Sequence, residues 1–477
     1  MIGFMKVIPI VPAPQDEEEG QSLYASEQKI YPRSVTGLFA RWRWAFVWLT
    51  QIVFYGLPWV QWNDRQGVLF DLASRRFYIF GYVLYPQDFI YLTGLLVVSA
   101  LSLFLFTAIA GRLWCGFACP QTVYTEIFLW IERHVEGDRN ARMKLDGQTM
   151  TLEKFVKKAS KHFLWGALAM WTGFTFVGYF TPIQELGLEF LQTRMGSWEV
   201  FWTFFYAFAT YGNAGFMREQ VCKYMCPYAR FQSAMFDKDT MIVSYDAERG
   251  EPRGSRGRKV DFKAKGLGAC VDCNLCVQVC PTGIDIRQGL QYECIGCAGC
   301  VDVCDSVMDK MGYERGLIKF TTQNAIAKGW TRSQTLRRVL RPRVLVYGTI
   351  LAALTMGLAI SLAMRTPLKV DIVRDRATLA RIVPGGKLEN VYQLQIMNAT
   401  EKPQRYRISA EGLPGLAVAS ENETEVEVAP AESRWVSVHL QMPYTAAAPG
   451  SHPIHFNIGT VEGDAHVREK SVFLVPR

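Results

Sequence analysis

The chain has 477 residues, of which 49% are hydrophobic and 13% aromatic, with 12 Cys, 13 Trp and a formal net charge of +8. That length suits about three domains. The apolar residues fall into long blocks and the basic ones into separate loops, so the charge is no sign of nucleic-acid binding and the blocks argue against a wholly water-soluble fold.

Residues 1–40 are polar and read as a mobile cytoplasmic N-terminus. The acidic run Asp16-Glu17-Glu18-Glu19 precedes any apolar block. A cleavable signal peptide needs a basic start instead, so the first apolar block is expected to act as an uncleaved anchor. Residues 41–235 read as a four-helix membrane unit with spans at Trp44–Val60, Phe89–Ala110, Phe163–Phe180 and Val200–Phe216. A fifth span, Val344–Met364, lies within 341–366. Each approaches the roughly 20 apolar residues that cross a bilayer. The third and fourth contain Gly and Thr and also suit buried globular helices.

Basic residues gather after the second block (Arg133, Arg139, Arg142, Lys144, Lys154, Lys157, Lys158, Lys161). They gather again after the fourth (Arg249 to Lys265) and before the fifth (Arg337, Arg338, Arg341, Arg343). Loops rich in Lys and Arg stay on the cytoplasmic side. Five crossings then place the C-terminus on the opposite side. The basic, glycine-containing stretch Glu248–Lys265 is expected to lie on anionic headgroups.

The membrane unit has an internal echo. Each half ends in Cys-x3-Cys-Pro: Cys115, Cys119 and Pro120, then Cys222, Cys226 and Pro227. Repeats of this kind place a site where the halves meet. On a helix the spacing puts both sulfurs on one face. A proline after the second Cys also suits a helix start, whose N-terminus would lower the thiol pKa. Four soft sulfurs suit Cu(I). A third Fe–S centre, a redox disulfide and plain core packing stay open.

Residues 236–340 hold the strongest motif. Cys270-x2-Cys273-x2-Cys276-x3-Cys280-Pro281 is followed by Cys294-x2-Cys297-x2-Cys300-x3-Cys304. This is the spacing of a two-cluster ferredoxin, in which the fourth Cys of each run ligates the other cluster. Cluster one is expected on Cys270, Cys273, Cys276 and Cys304, and cluster two on Cys294, Cys297, Cys300 and Cys280. Zinc sites typically show two separated pairs instead. Asp305 stands where the first run has its proline, which predicts a more solvated first cluster.

Residues 367–477 alternate apolar and polar residues, as in Val391–Ile396, Tyr406–Ser409, Thr424–Val428, Trp435–Leu440 and Ser471–Val475. About seven short strands over this length predict an all-β immunoglobulin-like sandwich without the antibody cysteine pair. Only His134 and His162 lie near the membrane unit, so paired histidine ligands for an intramembrane haem are missing. His452 and His455 are weak metal candidates. No Gly-x-Gly-x-x-Gly sits between a strand and a helix, so electrons are expected from another protein or from quinol, not from bound NADH. Glu126 follows the first thiol motif and suits a proton carrier or an interfacial acid.

The order of parts resembles the CcoG/FixG/RdxA family of cytochrome oxidase accessory proteins. What carries the resemblance is the pair of Cys-x3-Cys-Pro motifs, the double-cluster insert, one more helix and the outer sandwich. The first part also looks like the membrane ferredoxins of periplasmic nitrate reduction and the regulator of nitrous oxide reduction. The resemblance implies a multidomain protein of the bacterial inner membrane. It would combine an α-helical transmembrane bundle, a cytoplasmic α+β ferredoxin-like domain with two 4Fe–4S clusters, and a periplasmic sandwich. It implies a cupric reductase that turns Cu(II) into Cu(I) for assembly of a cbb-type oxidase, with Cys115, Cys119, Cys222 and Cys226 handling copper as substrate. The implied partners are membrane lipid, an electron donor protein or quinol, a copper transporter or chaperone, oxidase assembly factors and a second copy of the chain. An electron-transfer subunit and a redox-sensing assembly scaffold remain as alternatives.

Overall fold

A computed structural model describes residues 29–375, 380–419 and 424–476. The chain enters through helix α1 (Leu38–Gly56) and then forms a small antiparallel sheet of β1 (Val68–Asp71), β2 (Arg76–Ile79) and β3 (Tyr82–Leu84). Helices α2 (Phe89–Ala110), α3 (Leu113–Phe117), α4 (Pro120–Glu136), α5 (Arg139–Gly147) and α6 (Leu152–Val177) follow. Next come α7 (Ile183–Leu191), α8 (Ser197–Thr210) and α9 (Pro227–Met235). A π-helical stretch, Tyr211–Met217, extends α8, and a second, Val221–Met225, leads into α9. Strands β4 (Ile242–Tyr245) and β5 (Ile318–Thr321) pair across the cysteine-rich segment, which also contains α10 (Gly299–Met311). Helix α11 (Pro342–Ala363) then leads to the β-rich end.

Two helices among the described residues are long and apolar enough to cross a membrane, Pro86–Ala110 and Pro342–Ala363. The other three expected spans are helical, but each departs from a plain span. Helix α1 carries Arg41 and Arg43, α6 opens with Lys154, Lys157, Lys158 and Lys161, and α8 has 14 residues before its π-helical extension. Part of the basic loop content predicted after the second block is turned inward. Glu132 on α4 accepts from Arg142 of α5 at 2.6 Å and from Arg218 at 2.7 Å, while Glu136 pairs with Lys158 and Lys161 of α6, each at 3.0 Å.

Helices α2 and α11 run antiparallel. At one end Tyr91 Oη donates to the Ser361 carbonyl at 3.1 Å; at the other Arg341 Nη2 donates to the Ala108 carbonyl at 2.6 Å. Each has 22 residues, or about 33 Å at 1.5 Å per residue. That matches a hydrocarbon core of about 30 Å. The cysteine-rich segment joins one end of the pair and the β-rich domain the other.

The described residues from 368 to 475 form two packed antiparallel sheets. One is ordered β10 (Ala417–Val418), β12 (Ser433–Pro443), β8 (Lys387–Asn398), β6 (Leu368–Arg374), with β7 (Arg381–Val383) also on β8. The other is ordered β11 (Glu425–Val428), β9 (Gln404–Glu411), β13 (Gly450–Thr460), β14 (His466–Val475). Leu394, Ile396, Val438 and Leu440 from one face meet Ile408, Ile454, Phe456 and Phe473 from the other. Tyr392 packs edge-on to Phe456 and donates its hydroxyl to the Val472 carbonyl at 2.9 Å, so its one polar atom is satisfied inside the core.

The β1–β3 sheet has no counterpart in the sequence expectations. Its Leu69, Tyr78, Val83 and Tyr85 form one buried cluster with Met397, Ala399 and Ala431 of the sandwich. Tyr85 Oη donates to the Asn398 carbonyl at 3.1 Å and Arg76 to the Ala431 carbonyl at 3.1 Å. Asp88, where α2 begins, ties the layer down. Its carboxylate receives Arg365 at 2.6 Å, Lys369 at 3.2 Å and the Tyr85 amide at 3.1 Å.

The expectation of a mobile segment 1–40 needs correction at its far end; residues 1–28 lie outside the described residues. Residues 29–37 are an extended strap across the cluster end. The Arg33 amide donates to the Gln278 carbonyl at 2.8 Å, Tyr31 Oη to Asp146 at 2.6 Å and Ser34 Oγ to Asp138 at 3.1 Å. Asp302 of α10 then accepts the amides of Phe39 and Ala40 at 3.1 and 2.7 Å. That carboxylate caps the N-terminus of α1, where negative charge is stabilising.

Candidate functional site

The eight cysteines between 270 and 304 are sorted into two groups by two short helices. Cys276 lies on the turn Leu275–Gln278, with Cys280 just beyond it. Cys300 and Cys304 lie one turn apart on α10. Cys270, Cys273, Cys276 and Cys304 line one cavity of ≈ 370 Å³, walled by Tyr245, Leu275, Val307, Met308 and Leu317. Cys280, Cys294, Cys297 and Cys300 line a second of ≈ 350 Å³, walled by Val243, Ile286 and Ile295, with Cys276 standing between the two and bordering both. Each run therefore contributes its fourth cysteine to the other run's cavity. Four thiols around a largely apolar cavity fit a 4Fe–4S cluster, in which each sulfur serves its own iron and the four stand apart. In keeping with that spacing, no group of three or more His, Cys, Asp or Glu side chains among the described residues converges on a single-ion site.

Backbone conformation aims the loops. Asp272 and Asn274 flank Cys273 at φ of 50° and 55°, a left-handed region that Asn and Asp enter more readily than most residues. Arg287 holds both, donating to Asp272 and Asn274 at 2.6 Å each while pairing with Asp285. Asp305 has a local explanation. Helix α10 continues to Met311, and a proline inside it would remove a helical hydrogen bond. Asp305 instead accepts the Gly316 amide at 2.9 Å. The predicted extra solvation from Asp305 is not where the first group opens, because Cys304 is half-buried. It opens at Cys273, the exposed member of the twelve cysteines.

The two Cys-x3-Cys-Pro motifs come together, although their four sulfurs, like those of the cluster loops, do not converge as ligands of one ion in this arrangement. In each, the second cysteine caps a helix whose first residue is the proline: Cys119 before Pro120 of α4, and Cys226 before Pro227 of α9. Cys115 lies on α3 and Cys222 on the π-helical stretch Val221–Met225. All four are half-buried. Thiols of one motif lie within electrostatic reach of the other: Cys115 of Cys222, and Cys119 of Cys226. The helix start does not lower the thiol pKa as expected. Burial raises Cys119 despite amide donors from Gln121 and Thr122. Burial, with the charge of Cys119 adding to it, pushes Cys115 up to about 12 and Cys222 up to about 11. Desolvation of the thiolate outweighs the few donors that would stabilise it.

Three contacts place this quartet against the second cysteine cavity. A Cβ on Gly116, inside the first motif, would stand 2.8 Å from Gly296 C and 2.9 Å from both Cys297 Cα and N. Gly296, at φ +68°, faces back toward the Arg112 backbone. Arg112, almost fully buried, donates to the Cys294 carbonyl at 3.4 Å and to the Ala229 carbonyl of α9, so one side chain spans both motifs and the cluster loop. Cys115 Sγ donates to Gln232 Oε1 at 3.4 Å. Sequence reading missed Arg112, Gly116 and Gln232; the signal within reach was a buried cation three residues before a thiol motif. Glu126 pairs with Arg43 of α1 at 3.7 Å, and a cleft lined by Gln121, Thr122, Glu126 and Cys222 opens beside the quartet. His452 Nε2 lies 2.7 Å from the Ala448 carbonyl and is not gathered with other ligands.

Comparison with known families gives three matches. A profile described as 4Fe-4S dicluster domain covers residues 217–323, one described as 4Fe-4S binding domain covers 92–136, and one described as IG-like fold at C-terminal of FixG covers 358–476. The Nitrogen fixation protein FixG of Rhizobium meliloti is 38% identical over 423 residues, 82% of this chain and 81% of that protein. Protein RdxA of Cereibacter sphaeroides is 38% identical over 443 residues, 91% and 92% of the two chains. A crystal structure of a FixG-related protein from Vibrio parahaemolyticus aligns over 23% of this chain and 97% of that one, with 22% identity and a TM-score of 0.21.

Proposed function

The chain belongs to the FixG/RdxA family, and from that premise we propose that it is a membrane iron–sulfur protein that reduces Cu(II) to Cu(I) for assembly of a cbb-type cytochrome oxidase. The observation that carries the proposal is the contact of the thiol quartet with the second cysteine cavity through Gly116 and Gly296. Cys270, Cys273, Cys276 and Cys304 hold one 4Fe–4S cluster; Cys294, Cys297, Cys300 and Cys280 hold the other. When bound, the clusters supply single electrons.

Copper is the substrate at Cys115, Cys119, Cys222 and Cys226. Thiolate softness favours Cu(I), so the ligands that take the ion stabilise the product of its one-electron reduction. Because burial raises the Cys115 and Cys222 thiols, copper must displace their protons, and its affinity rises with pH. Arg112 and Gln232 hold the motif in place. The cluster end lies in the cytoplasm, supported by Arg337, Arg338, Arg341 and Arg343 at the start of α11, and the sandwich lies in the periplasm of the bacterial inner membrane.

One observation favours a second reading. The 4Fe-4S profile over 92–136 contains Cys115 and Cys119, so the quartet would hold a third cluster. Iron analysis of anaerobically purified protein separates the two, at about eight atoms for two clusters against about twelve for three. Replacing all four thiols by Ser is expected to leave about eight irons and abolish copper binding. Loss of a residue that only hydrogen-bonds a metal ligand costs about 10–100-fold in metal affinity, so losing the ligands themselves should slow reduction by more, read with a Cu(I)-specific chelator. Reduction at the wild-type rate would remove the proposed site. The crossed ligation has its own test: Cys280→Ser should damage the cluster of Cys294, Cys297 and Cys300, and low-temperature EPR showing loss of the other cluster instead would contradict it.

A further inference from the structure

The two cysteine cavities are not equivalent with respect to the membrane helices. Strand β4 begins where α2 ends, with the Met241 amide donating to the Ile109 carbonyl at 3.0 Å. Val243 lines the second cavity and Tyr245 lines the first. A strand rises about 3.3 Å per residue, so the first cavity lies several ångströms further from the bundle. The inner cavity touches the thiol quartet, and the outer one opens to solvent at Cys273. Beside the outer cavity lies the loop 253–268. It is pinned there by Arg256, which donates to the Cys270 carbonyl at 3.1 Å and the Gly268 carbonyl at 2.7 Å, with its guanidinium over the Phe262 and Tyr313 rings. Arg258, Lys259, Lys263 and Lys265 of this loop are exposed and make no ion pair among the described residues. The loop is therefore held at the outer cavity.

We propose that this face, with Cys273 exposed and the Arg258–Lys265 cations on the loop pinned to the Cys270 carbonyl, is the docking site for an acidic one-electron carrier protein. The inference rests on the assignment of the two cysteine quartets to clusters. The carrier is oxidised by one electron, which enters at the outer cluster, leaves through the inner one and reduces one Cu(II) to Cu(I). Charge complementarity selects the partner. Four exposed cations on the loop pinned at Cys270 attract an acidic surface, and the Arg287 fork holds the Cys273 loop ready-shaped for contact. Steering of this kind raises association rates by roughly 10–1,000-fold and fades as salt rises.

The test uses the full chain with its clusters, in nanodiscs of neutral phosphatidylcholine, and a fluorophore-labelled acidic 2Fe–2S ferredoxin as the probe. Two readouts are taken: binding by anisotropy, and bleaching of the visible cluster absorbance on mixing with the reduced probe. Both are expected to weaken with salt. Both should also fall by roughly tenfold or more in the variant carrying Arg258→Glu, Lys259→Glu, Lys263→Glu and Lys265→Glu, while dithionite bleaches it as it does the wild type. A Lys259→Gln, Lys263→Gln pair, expected to show a smaller loss of the same kind, covers misfolding of the reversal variant. Unchanged binding and bleaching in the variants overturns the proposal. So does faster bleaching of both proteins by a quinol analogue than by the ferredoxin, or a rate set by added anionic lipid and not by the loop charges. Neither readout involves copper, so this inference and the copper reading fail separately.

Discussion

Replacing Gly116 by valine is expected to suppress copper reduction while leaving the iron content and dithionite bleaching of both clusters at wild-type values. The side chain would have to occupy space held by backbone atoms of Gly296 and Cys297, 2.8–2.9 Å from its Cβ. Backbone in a loop that carries cluster ligands cannot swing aside as the tip of a lysine can. Overpacking of this kind costs about 1–3 kcal/mol. At about 1.4 kcal/mol per decade, the close arrangement of thiol motif and cluster loop loses roughly one to two powers of ten in population. Single-turnover mixing of reduced protein with Cu(II) and a Cu(I) chelator measures it. Alanine should fall between glycine and valine. A valine variant that reduces copper normally would show that electrons reach the thiols by another route.

The second large effect is expected at the opposite end. Asp88 is buried, and its carboxylate holds Arg365, itself nearly buried, together with Lys369. Removing one partner of a buried ion pair leaves an uncompensated charge and costs about 3–5 kcal/mol. Asp88→Ala should therefore loosen the layer formed by β1–β3 and the sandwich. Hydrogen exchange at residues 68–88 and 397–399 should accelerate, while exchange at the cluster end stays unchanged. Asp88→Asn keeps the shape and the contact with the Tyr85 amide but not the charge, so it should give a smaller loss. Equal exchange in wild type and the alanine variant would mean that the apolar cluster of Leu69, Tyr78 and Val83 holds the layer without the carboxylate.

Features that depend on spacing along the chain were open to sequence reading. The two runs from Cys270 to Cys304 specify their grouping because the two-residue spacings turn three thiols of each run toward one point and leave the fourth for the other. The alternation in Val391–Ile396 and Trp435–Leu440 specifies β8 and β12. The Cys-Pro pairs announce helix starts, since proline costs nothing at the first helical position. What stayed hidden depends on partners far away in sequence. Strands β1–β3 are three or four residues each, too short for a periodic signal, and their apolar face exists only to meet Met397 and Ala431. The strap 29–37 looks polar because its bonds go to Gln278, Asp138 and Asp146. Gly116 carries no signal of its own until Gly296 is brought against it. The thiol pKa was misjudged because a helix start is a local feature, whereas the burial that outweighs it comes from the whole bundle. The membrane spans were blurred where charged residues turn inward, as Arg43 does toward Glu126.

The β1–β3 layer also has a consequence in time. Its apolar face is synthesised with the first helix, but the sandwich residues that cover it emerge roughly 300 residues later, which at 5–20 residues per second is about 15–60 s of ribosome time. During that interval Leu69, Tyr78, Val83 and Tyr85 face solvent or a holdase. Completion of the C-terminal domain then acts as a clasp that closes over a segment made at the beginning. A nascent chain halted before Met397 should be cut by protease within residues 61–85, and a chain extended through the sandwich should be resistant there, so protection of this early segment reports that the sandwich strands have been made.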